Sequence, residues 1–360
     1  MQSSNTRDAS IDLLKVLATL GILFHHFQQL SGAAYPGWIN FYGGRIYWGN
    51  LVELFFVLSG FLIFRCAARI REGSLSFPAF YLRRMRRLLP LTAFAAMVYD
   101  LILALYQHLY GAALLSFSLS PWGTLLDALG IQAGWSFANP CVNNPTWYIS
   151  VLLLCCAVFY LLTWAAARGR FPAEYLYGCM ILLGCGAMEF HLSLPYLNSY
   201  SARGYYAFFA GVLLAKAFSV WPRRSRAVIA LCGVCAAGLT IRFRLGGDMA
   251  GMPYILTFCY YPALIVLLET NAAHWLIHGK FWNTAGAISF DVYIWHVPVY
   301  LLWRCVEKLT GLPADFTRIG WMFAFALVCA AAGTLSHFLL EKPLDRFVGI
   351  LAERLRAARA

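Results

Sequence analysis

The chain has 360 residues, of which 61% are hydrophobic and only 12% are charged, and its mean hydropathy is +0.64. Soluble domains are about 45–50% apolar and about 25% charged, so this composition excludes an ordinary soluble protein and indicates a multi-pass membrane protein. The net charge of +12 does not indicate a nucleic-acid partner, because the cytoplasmic loops of membrane proteins carry an excess of Lys and Arg.

The cysteines predict neither disulfides nor a metal centre. Most of the eleven lie inside apolar segments, where a cysteine behaves as a small hydrophobic side chain. No group of Cys and His residues has the spacing of metal ligands, so the sequence predicts no metal site.

Ten apolar windows are long enough, at about 20 residues each, to cross a bilayer. They lie at 11–30, 48–68, 88–110, 146–167, 174–191, 203–220, 227–246, 253–271, 285–306 and 319–340. Ten crossings put both termini on one side, and 21 of the 28 Lys and Arg residues would lie there. The positive-inside rule makes that side the cytoplasm. We therefore predict an all-α integral membrane protein of about ten transmembrane helices, with one transmembrane domain over residues 1–345 and a short basic cytoplasmic tail over 346–360.

The first window holds four ionisable residues, which are expensive inside a membrane and indicate a functional site. At about 100° per residue, Asp12, Lys15, Thr19 and His26 share one face of the helix. His25 points about 100° away from that face. We predict that this polar stripe faces protein or a wet cavity, and that His26 rather than His25 belongs to the site.

The second window has Glu53 near its predicted outer end, level with His26. Its carboxylate could orient the imidazole and stabilise the protonated ring, or it could be a solvated residue at the helix mouth. Deeper in the same window, Ser59 and Gly60 predict a close-packing point for another helix. The loop before it, 31–49, is rich in Tyr and Trp, which suits an interfacial aromatic belt or carbohydrate stacking.

A cluster of arginines comes before the third window, in FPAFYLRRMRRLLP. Its members are Arg83, Arg84, Arg86 and Arg87. On a short helix they are i,i+3 and i,i+4 neighbours and would present a dense cationic face. Guanidinium groups suit phosphate, but the same cluster would serve as a positive-inside signal that contacts lipid headgroups.

Two further segments carry candidate polar groups. The outer loop 111–145 has no Lys or Arg and runs into CVNNPTWYIS, where the Asn144 amide beside the Trp147 ring suits a sugar or an ordinary turn. In AISFDVYIWHVPVY, Ser289 and His296 are seven residues apart and share a helix face. A lone membrane histidine is more often a packed core residue than a catalytic one.

Six segments of the chain together resemble a known family. They are, in order, RDASIDLLKVLATLGILFHHF, VELFFVLSGFLIF, FYLRRMRRLLP, NPTWYIS, ISFDVYIWH and EKPL. In this order and at this spacing the chain resembles the membrane-bound acyltransferase 3 family, the O-acyltransferases of bacterial surface and secreted glycans. The resemblance covers nearly the whole chain. It implies an acyl-CoA donor substrate, no bound cofactor, and an extracytoplasmic glycan or glycolipid acceptor.

The resemblance also implies roles for individual residues. The family has a basic residue, ten intervening positions and an essential histidine in helix 1, and these match Lys15 and His26, although the family usually has Arg where this chain has Lys15. The acidic residue before the SGF segment matches Glu53. The remaining matches are Arg83, Arg84, Arg86 and Arg87 for the acyl-CoA phosphates, Trp147 for the tryptophan that opens helix 4, and Ser289 and His296 for the serine and histidine of helix 9.

The sequence thus predicts an acyl-CoA-dependent O-acyltransferase of the cell membrane that transfers acetyl, or succinyl, to a glycan hydroxyl. His26 would be the general base and Glu53 would hold its tautomer, while Lys15 and the arginines would bind acyl-CoA, and a passage along helix 1 would let the donor reach His26. Direct transfer and an acyl-histidine relay remain alternatives. The rival function is a flippase or exporter of a glycan precursor, and a receptor is a third. The expected partners are acyl-CoA, the glycan acceptor and the bilayer; a homo-oligomer is left open.

Overall fold

The computed structural model describes residues 8–36, 39–44, 47–112, 120–135, 143–246 and 251–357, with side chains as far as residue 350. Over these residues the fold is all-helical, and the sole β-type contact is an isolated bridge between Leu194 and Leu197. The predicted all-α class is confirmed. The helices are α1 (Ala9–Ser31), α2 (Leu51–Ile63), α3 (Ala67–Arg71), α4 (Phe77–Tyr110), α5 (Pro121–Leu129), α6 (Trp147–Gly169), α7 (Ala173–Glu189), α8 (Ser199–Val220), α9 (Arg223–Phe243), α10 (Met252–Ile255), α11 (Tyr261–Leu268), α12 (Asn271–Leu276), α13 (Lys280–Thr310), α14 (Ile319–Ser336) and α15 (Lys342–Ala357).

Seven helical segments in the described ranges are long and apolar enough to cross a membrane, which makes the chain a multi-pass membrane protein. They are Ala9–Ser31, Trp48–Arg71, Phe77–Tyr110, Asn144–Gly169, Arg223–Phe243, Lys280–Thr310 and Ile319–Ile350. Each corresponds to a predicted window. The other three windows are helical too, but they do not combine the required length and hydropathy: α7 has 17 residues, α8 carries Arg203 and Lys216, and Met252–Leu268 is short. The predicted count of ten spans is therefore not confirmed.

The chain forms two compact units built from non-contiguous segments. The first comprises Met1–Ala67, Phe171–Cys185 and Arg203–Phe290. The second comprises Ala68–Arg170, Gly186–Ala202 and Asp291–Ala360.

Local sequence explains where the first helix begins and ends. The Asp8 carboxylate caps α1 by accepting the backbone N–H of Ser10 at 2.8 Å, which satisfies a donor that the first turn leaves without a helical partner. The helix ends at Gly32, whose φ of 70° is the left-handed conformation that glycine adopts without steric cost.

Helix α4 corrects one detail of the sequence prediction. The arginine cluster is predicted on a short helix separate from the third span, but Phe77–Tyr110 is one helix of 34 residues. Ser76 caps its first turn and Gly111 ends it. Pro90 lies inside the helix, where a membrane helix can accommodate the missing backbone donor.

In the first unit, α2 and α8 approach each other through two glycines. A Cβ atom on Gly60 would lie 1.9 Å from the carbonyl oxygen of Phe208, and one on Gly211 would lie 2.0 Å from that of Val57. No side chain fits at either position without moving a backbone. The predicted close-packing role of Gly60 is confirmed.

The Gly60→Ala variant is expected to be less stable than the wild type by at least about 1–3 kcal/mol, because the added methyl group overpacks a backbone contact. The measurement is thermal or denaturant unfolding of the purified chain in detergent. The matched control is Gly238→Ala on α9, where a Cβ meets no atom within 4 Å. That change should be neutral or stabilising, since Ala favours helix over Gly by about 1 kcal/mol. Equal stability of the two variants would contradict the packing assignment.

Candidate active site

The polar stripe of α1 faces protein at its first turns. Asp12 is only 1% exposed, and its Oδ1 accepts a hydrogen bond from Lys15 Nζ at 2.9 Å. A Cβ on Gly286 would lie 2.5 Å from the Asp12 Cβ, so α13 packs directly against this side of α1. Thr19 is buried as well. The stripe therefore points into the first unit, and the charge of Lys15 is compensated by a neighbour on its own helix.

His26 lies near the other end of α1 and is half-buried. Its Nδ1–H donates a hydrogen bond to Gln29 Oε1, three residues further along the helix, at 2.9 Å. A donor at Nδ1 fixes the neutral tautomer in which Nε2 carries the lone pair. In this tautomer Nε2 is the basic nitrogen of the His26 ring.

His25 has a different environment. It is buried, and its Nδ1–H donates to the carbonyl oxygen of Phe41 at 3.0 Å. The rings of Tyr42 and Tyr47 contact it edge-on, with centroid distances of 5.2 and 4.8 Å. Burial raises the pKa of the Tyr47 phenol. His25 therefore holds the aromatic loop after α1 onto the helix, which is a structural task.

Glu53 forms a buried ion pair. It is 1% exposed, and its two oxygens accept hydrogen bonds from Arg203 Nε at 2.5 Å and Arg203 Nη2 at 2.9 Å. Tyr206 donates a third at 2.9 Å. Arg203 also donates to the carbonyl oxygen of Gly49 at 3.2 Å. The group ties the start of α2 to α8.

This pairing changes the role predicted for Glu53. The sequence predicts that its carboxylate holds the His26 tautomer, whereas the His26 Nδ1–H donates to Gln29 Oε1. Sequence reasoning also missed Arg203 and Tyr206. An arginine close to tyrosines at the start of an apolar helix, in the segment ARGYYAFF, was the available indication.

The second unit contains a large cavity with a cationic wall. Its volume is about 1340 Å³. Three of the four clustered arginines line it, together with two basic residues at the start of α15; they are Arg83, Arg86, Arg87, Lys342 and Arg346. This concentration of guanidinium groups around a space of substrate size suits a polyanionic ligand.

The arginines differ in their contacts. Arg86 is held by Asp345, whose side-chain and backbone oxygens accept hydrogen bonds at 3.1 and 2.9 Å. Arg84 donates to the Phe80 carbonyl oxygen at 2.7 Å, and its guanidinium lies 3.6 Å from the centre of the Phe80 ring. Arg83 and Arg87 are exposed at the cavity. These two are therefore the best placed to bind a phosphate.

The turn before α6 is packed inside the second unit. Asn143 is fully buried and donates from Nδ2 to the carbonyl oxygen of Ile294 at 3.1 Å. Trp147 is buried with its ring centre 5.1 Å from that of Tyr200. Asn144 remains half-buried at the turn. Of the predicted acceptor residues here, Asn144 is the more accessible to a ligand.

The two residues of α13 are also enclosed. Ser289 is buried and donates to the Gly286 carbonyl oxygen at 3.0 Å. His296 is fully buried, and its Nδ1–H donates to the Tyr293 carbonyl oxygen at 2.6 Å. Both bonds stay within one helix, which favours the structural alternative for His296.

Comparison with known proteins supports the resemblance. The family described as the acyltransferase domain, Acyl_transf_3, matches residues 8–337. The chain belongs to the acyltransferase 3 family. A protein of Bacillus subtilis called a putative peptidoglycan O-acetyltransferase is 24% identical over 93% of this chain and 54% of its own length. The peptidoglycan O-acetyltransferase of Listeria monocytogenes is 25% identical over 84% and 50% respectively. The chain thus spans about half the length of these relatives. No solved structure matches it.

The Arg203→Gln variant is expected to lose about 3–5 kcal/mol of stability, because it leaves the Glu53 carboxylate buried without its counterion. The double variant Glu53→Gln/Arg203→Gln should recover part of that loss, since no charge stays buried. Thermal unfolding of the four proteins in a double-mutant cycle measures the coupling. Strict additivity of the two single changes would show that the ion pair does not stabilise the fold.

Proposed function

We propose that this protein is a membrane O-acyltransferase that moves an acyl group, acetyl in the first instance, from cytoplasmic acyl-CoA to a hydroxyl of an extracytoplasmic glycan. Family membership supports acyl transfer. The names of the relatives support a peptidoglycan acceptor and an acetyl group. Succinyl is the alternative acyl group.

The observation that carries this proposal is the orientation of His26. A hydroxyl is a poor nucleophile at neutral pH and needs a base with a pKa near 7. His26 is half-buried on the polar face of α1, and its Nδ1–H is engaged by Gln29 at 2.9 Å. This leaves Nε2 as the basic nitrogen. Gln29 takes the positioning role that the sequence assigns to Glu53.

The reaction can be written with these groups. The acceptor hydroxyl oxygen attacks the thioester carbonyl carbon while His26 Nε2 takes its proton. The C–S bond of the tetrahedral intermediate then breaks, and the CoA thiolate leaves and receives a proton from the imidazolium. The products are the glycan ester and CoA–SH, and His26 returns to its neutral form.

The donor is assigned to the cationic cavity. Acyl-CoA carries several phosphate charges, and Arg83 and Arg87 are exposed at a cavity of about 1340 Å³. Arg86, Lys342 and Arg346 add positive charge to the same wall. Phosphate binding by guanidinium groups is bidentate and strong. The Lys15 charge is paired with Asp12, so we assign Lys15 a smaller part in donor binding than the arginines.

The His26→Ala variant is expected to lower kcat/KM for acyl transfer by about 10²–10⁴-fold, which is the usual contribution of a general base. The assay uses purified full-length protein in nanodiscs with acetyl-CoA and soluble peptidoglycan fragments. Mass spectrometry detects the acetyl ester, and a thiol reagent detects the released CoA.

The matched control is His25→Asn, in which the amide nitrogen can replace the Nδ1–H that donates to Phe41. It should fold and retain acyl transfer. Full activity in folded His26→Ala would contradict the assignment of His26 as the general base. If the wild type neither transfers the acetyl group nor hydrolyses acetyl-CoA, the acyltransferase proposal itself is wrong, and the result favours the flippase alternative.

Arg83→Ala and Arg87→Ala are each expected to weaken acetyl-CoA binding by about 10- to 100-fold, since a hydrogen bond to a charged group contributes about 1.5–3 kcal/mol. Most of the change should appear in KM for acetyl-CoA rather than in kcat, and titration of the protein with CoA checks the affinity directly.

The control for lost positive charge is Arg168→Ala. Arg168 lies over the Trp164 ring and does not line the cavity. An equal loss of affinity in all three variants would mean that net charge, and not this cavity, attracts the donor.

A further inference from the structure

Three ionisable side chains meet in the second unit, and the proposed acyl transfer gives none of them a role. Asp291 of α13 is fully buried, and its Oδ2 lies 3.2 Å from His337 Nδ1. Glu341 Oε2 contacts the same nitrogen more closely. His337 is also buried. One imidazole nitrogen and two carboxylate oxygens thus converge within 4.8 Å of one another.

The surrounding residues hold this group in place. Ser336 Oγ donates to Asp291 Oδ1 at 2.7 Å, and Trp295 Nε1 donates to Ser336 Oγ at 2.8 Å. His337 and Glu341 lie at the two ends of the π-helical segment His337–Glu341. Such segments are rare and are frequent at functional sites. Metal-binding carboxylates are commonly held by a second layer of hydrogen bonds of this kind.

Charge distinguishes the group from an ordinary ion pair. An imidazole Nδ1 carries at most one proton, so it cannot donate fully to both Asp291 and Glu341. Two ionised carboxylates and a protonated His337 leave one net negative charge in a buried place, which is costly. Two carboxylates and a neutral imidazole leave two negative charges, and a divalent cation neutralises them.

The first unit contains a second group of two carboxylates and one imidazole, formed by Asp8, Glu269 and His274. Their possible ligand atoms also lie within 4.8 Å of one another. The His274 nitrogens lie 3.9 and 4.0 Å from the carboxylates, and Asp8 is already the cap of α1. The longer distances and the capping role of Asp8 distinguish this group from the one around His337.

We propose that Asp291, His337 and Glu341 bind one divalent transition-metal ion, of the Zn²⁺ or Mn²⁺ class. One imidazole and two carboxylates suit these ions, whereas Mg²⁺ and Ca²⁺ prefer oxygen ligands alone. Three protein ligands leave coordination positions open, and His337 and Glu341 line the cationic cavity. The site stands apart from the acyl-transfer proposal, because it rests on other residues.

The test is metal binding by the purified full-length protein after removal of metals with a chelator. Zn²⁺, Mn²⁺ and Mg²⁺ are titrated calorimetrically as chloride salts, with no acyl donor or acceptor present. We expect one equivalent of Zn²⁺ or Mn²⁺ to bind at least about tenfold more tightly than Mg²⁺. Asp291→Asn and Glu341→Gln should each weaken it by at least about tenfold.

Two controls keep the outcome decisive. Glu269→Gln removes a carboxylate from the other group and should leave the affinity unchanged. Glu341 is the more exposed of the two carboxylates, so Glu341→Gln decides the question if Asp291→Asn does not fold. No binding, a preference for Mg²⁺, or unchanged affinity in folded Glu341→Gln would overturn the site. The readout does not depend on activity, so a protein that binds Zn²⁺ but transfers no acyl group overturns only the proposed function.

Discussion

The first unit depends on the ion pair between Glu53 and Arg203. The Glu53 carboxylate is only 1% exposed, so water cannot compensate its charge and it needs the Arg203 guanidinium as its counterion. Three hydrogen bonds to the Glu53 carboxylate complete the arrangement. The close glycine contacts between α2 and α8 lie on the same two helices. The register of α8 on α2 is therefore determined twice, once by charge and once by shape.

The second unit also contains buried polar groups that form hydrogen bonds with another segment. Asn143 bonds to the backbone of α13, and Asp291 to Ser336 of α14. Such bonds make these residues part of the scaffold. Arg83 and Arg87 differ because they stay exposed at a cavity. Long cationic side chains that remain accessible suit an incoming anion, and for this reason Arg83 and Arg87 are the residues proposed to bind the donor.

Helical periodicity predicted well which face of a helix a residue lies on, but it predicted poorly which residues that face contacts. The all-helical class, seven of the spans and the packing role of Gly60 follow from hydropathy and from local residue type. The phase of α1 also separated His25 from His26, whose surroundings differ. What lies opposite a helix face is set by residues far along the chain: Glu53 and Arg203 are 150 positions apart. Asp291 and His337 are 46 apart, so the sequence does not show that these two side chains meet.

The partner of His26 shows why this difference matters for chemistry. A carboxylate beside the ring would fix its tautomer, but the negative charge would also favour the protonated imidazolium. A protonated ring cannot take a proton from a hydroxyl. The Gln29 amide accepts the Nδ1–H bond without adding charge, so it orients the ring and leaves Nε2 basic. The Glu53 carboxylate, which the sequence analysis placed beside His26, instead forms an ion pair with Arg203. The neutral Gln29 amide at Nδ1 therefore agrees with the role proposed for His26, while the Glu53 charge serves the ion pair.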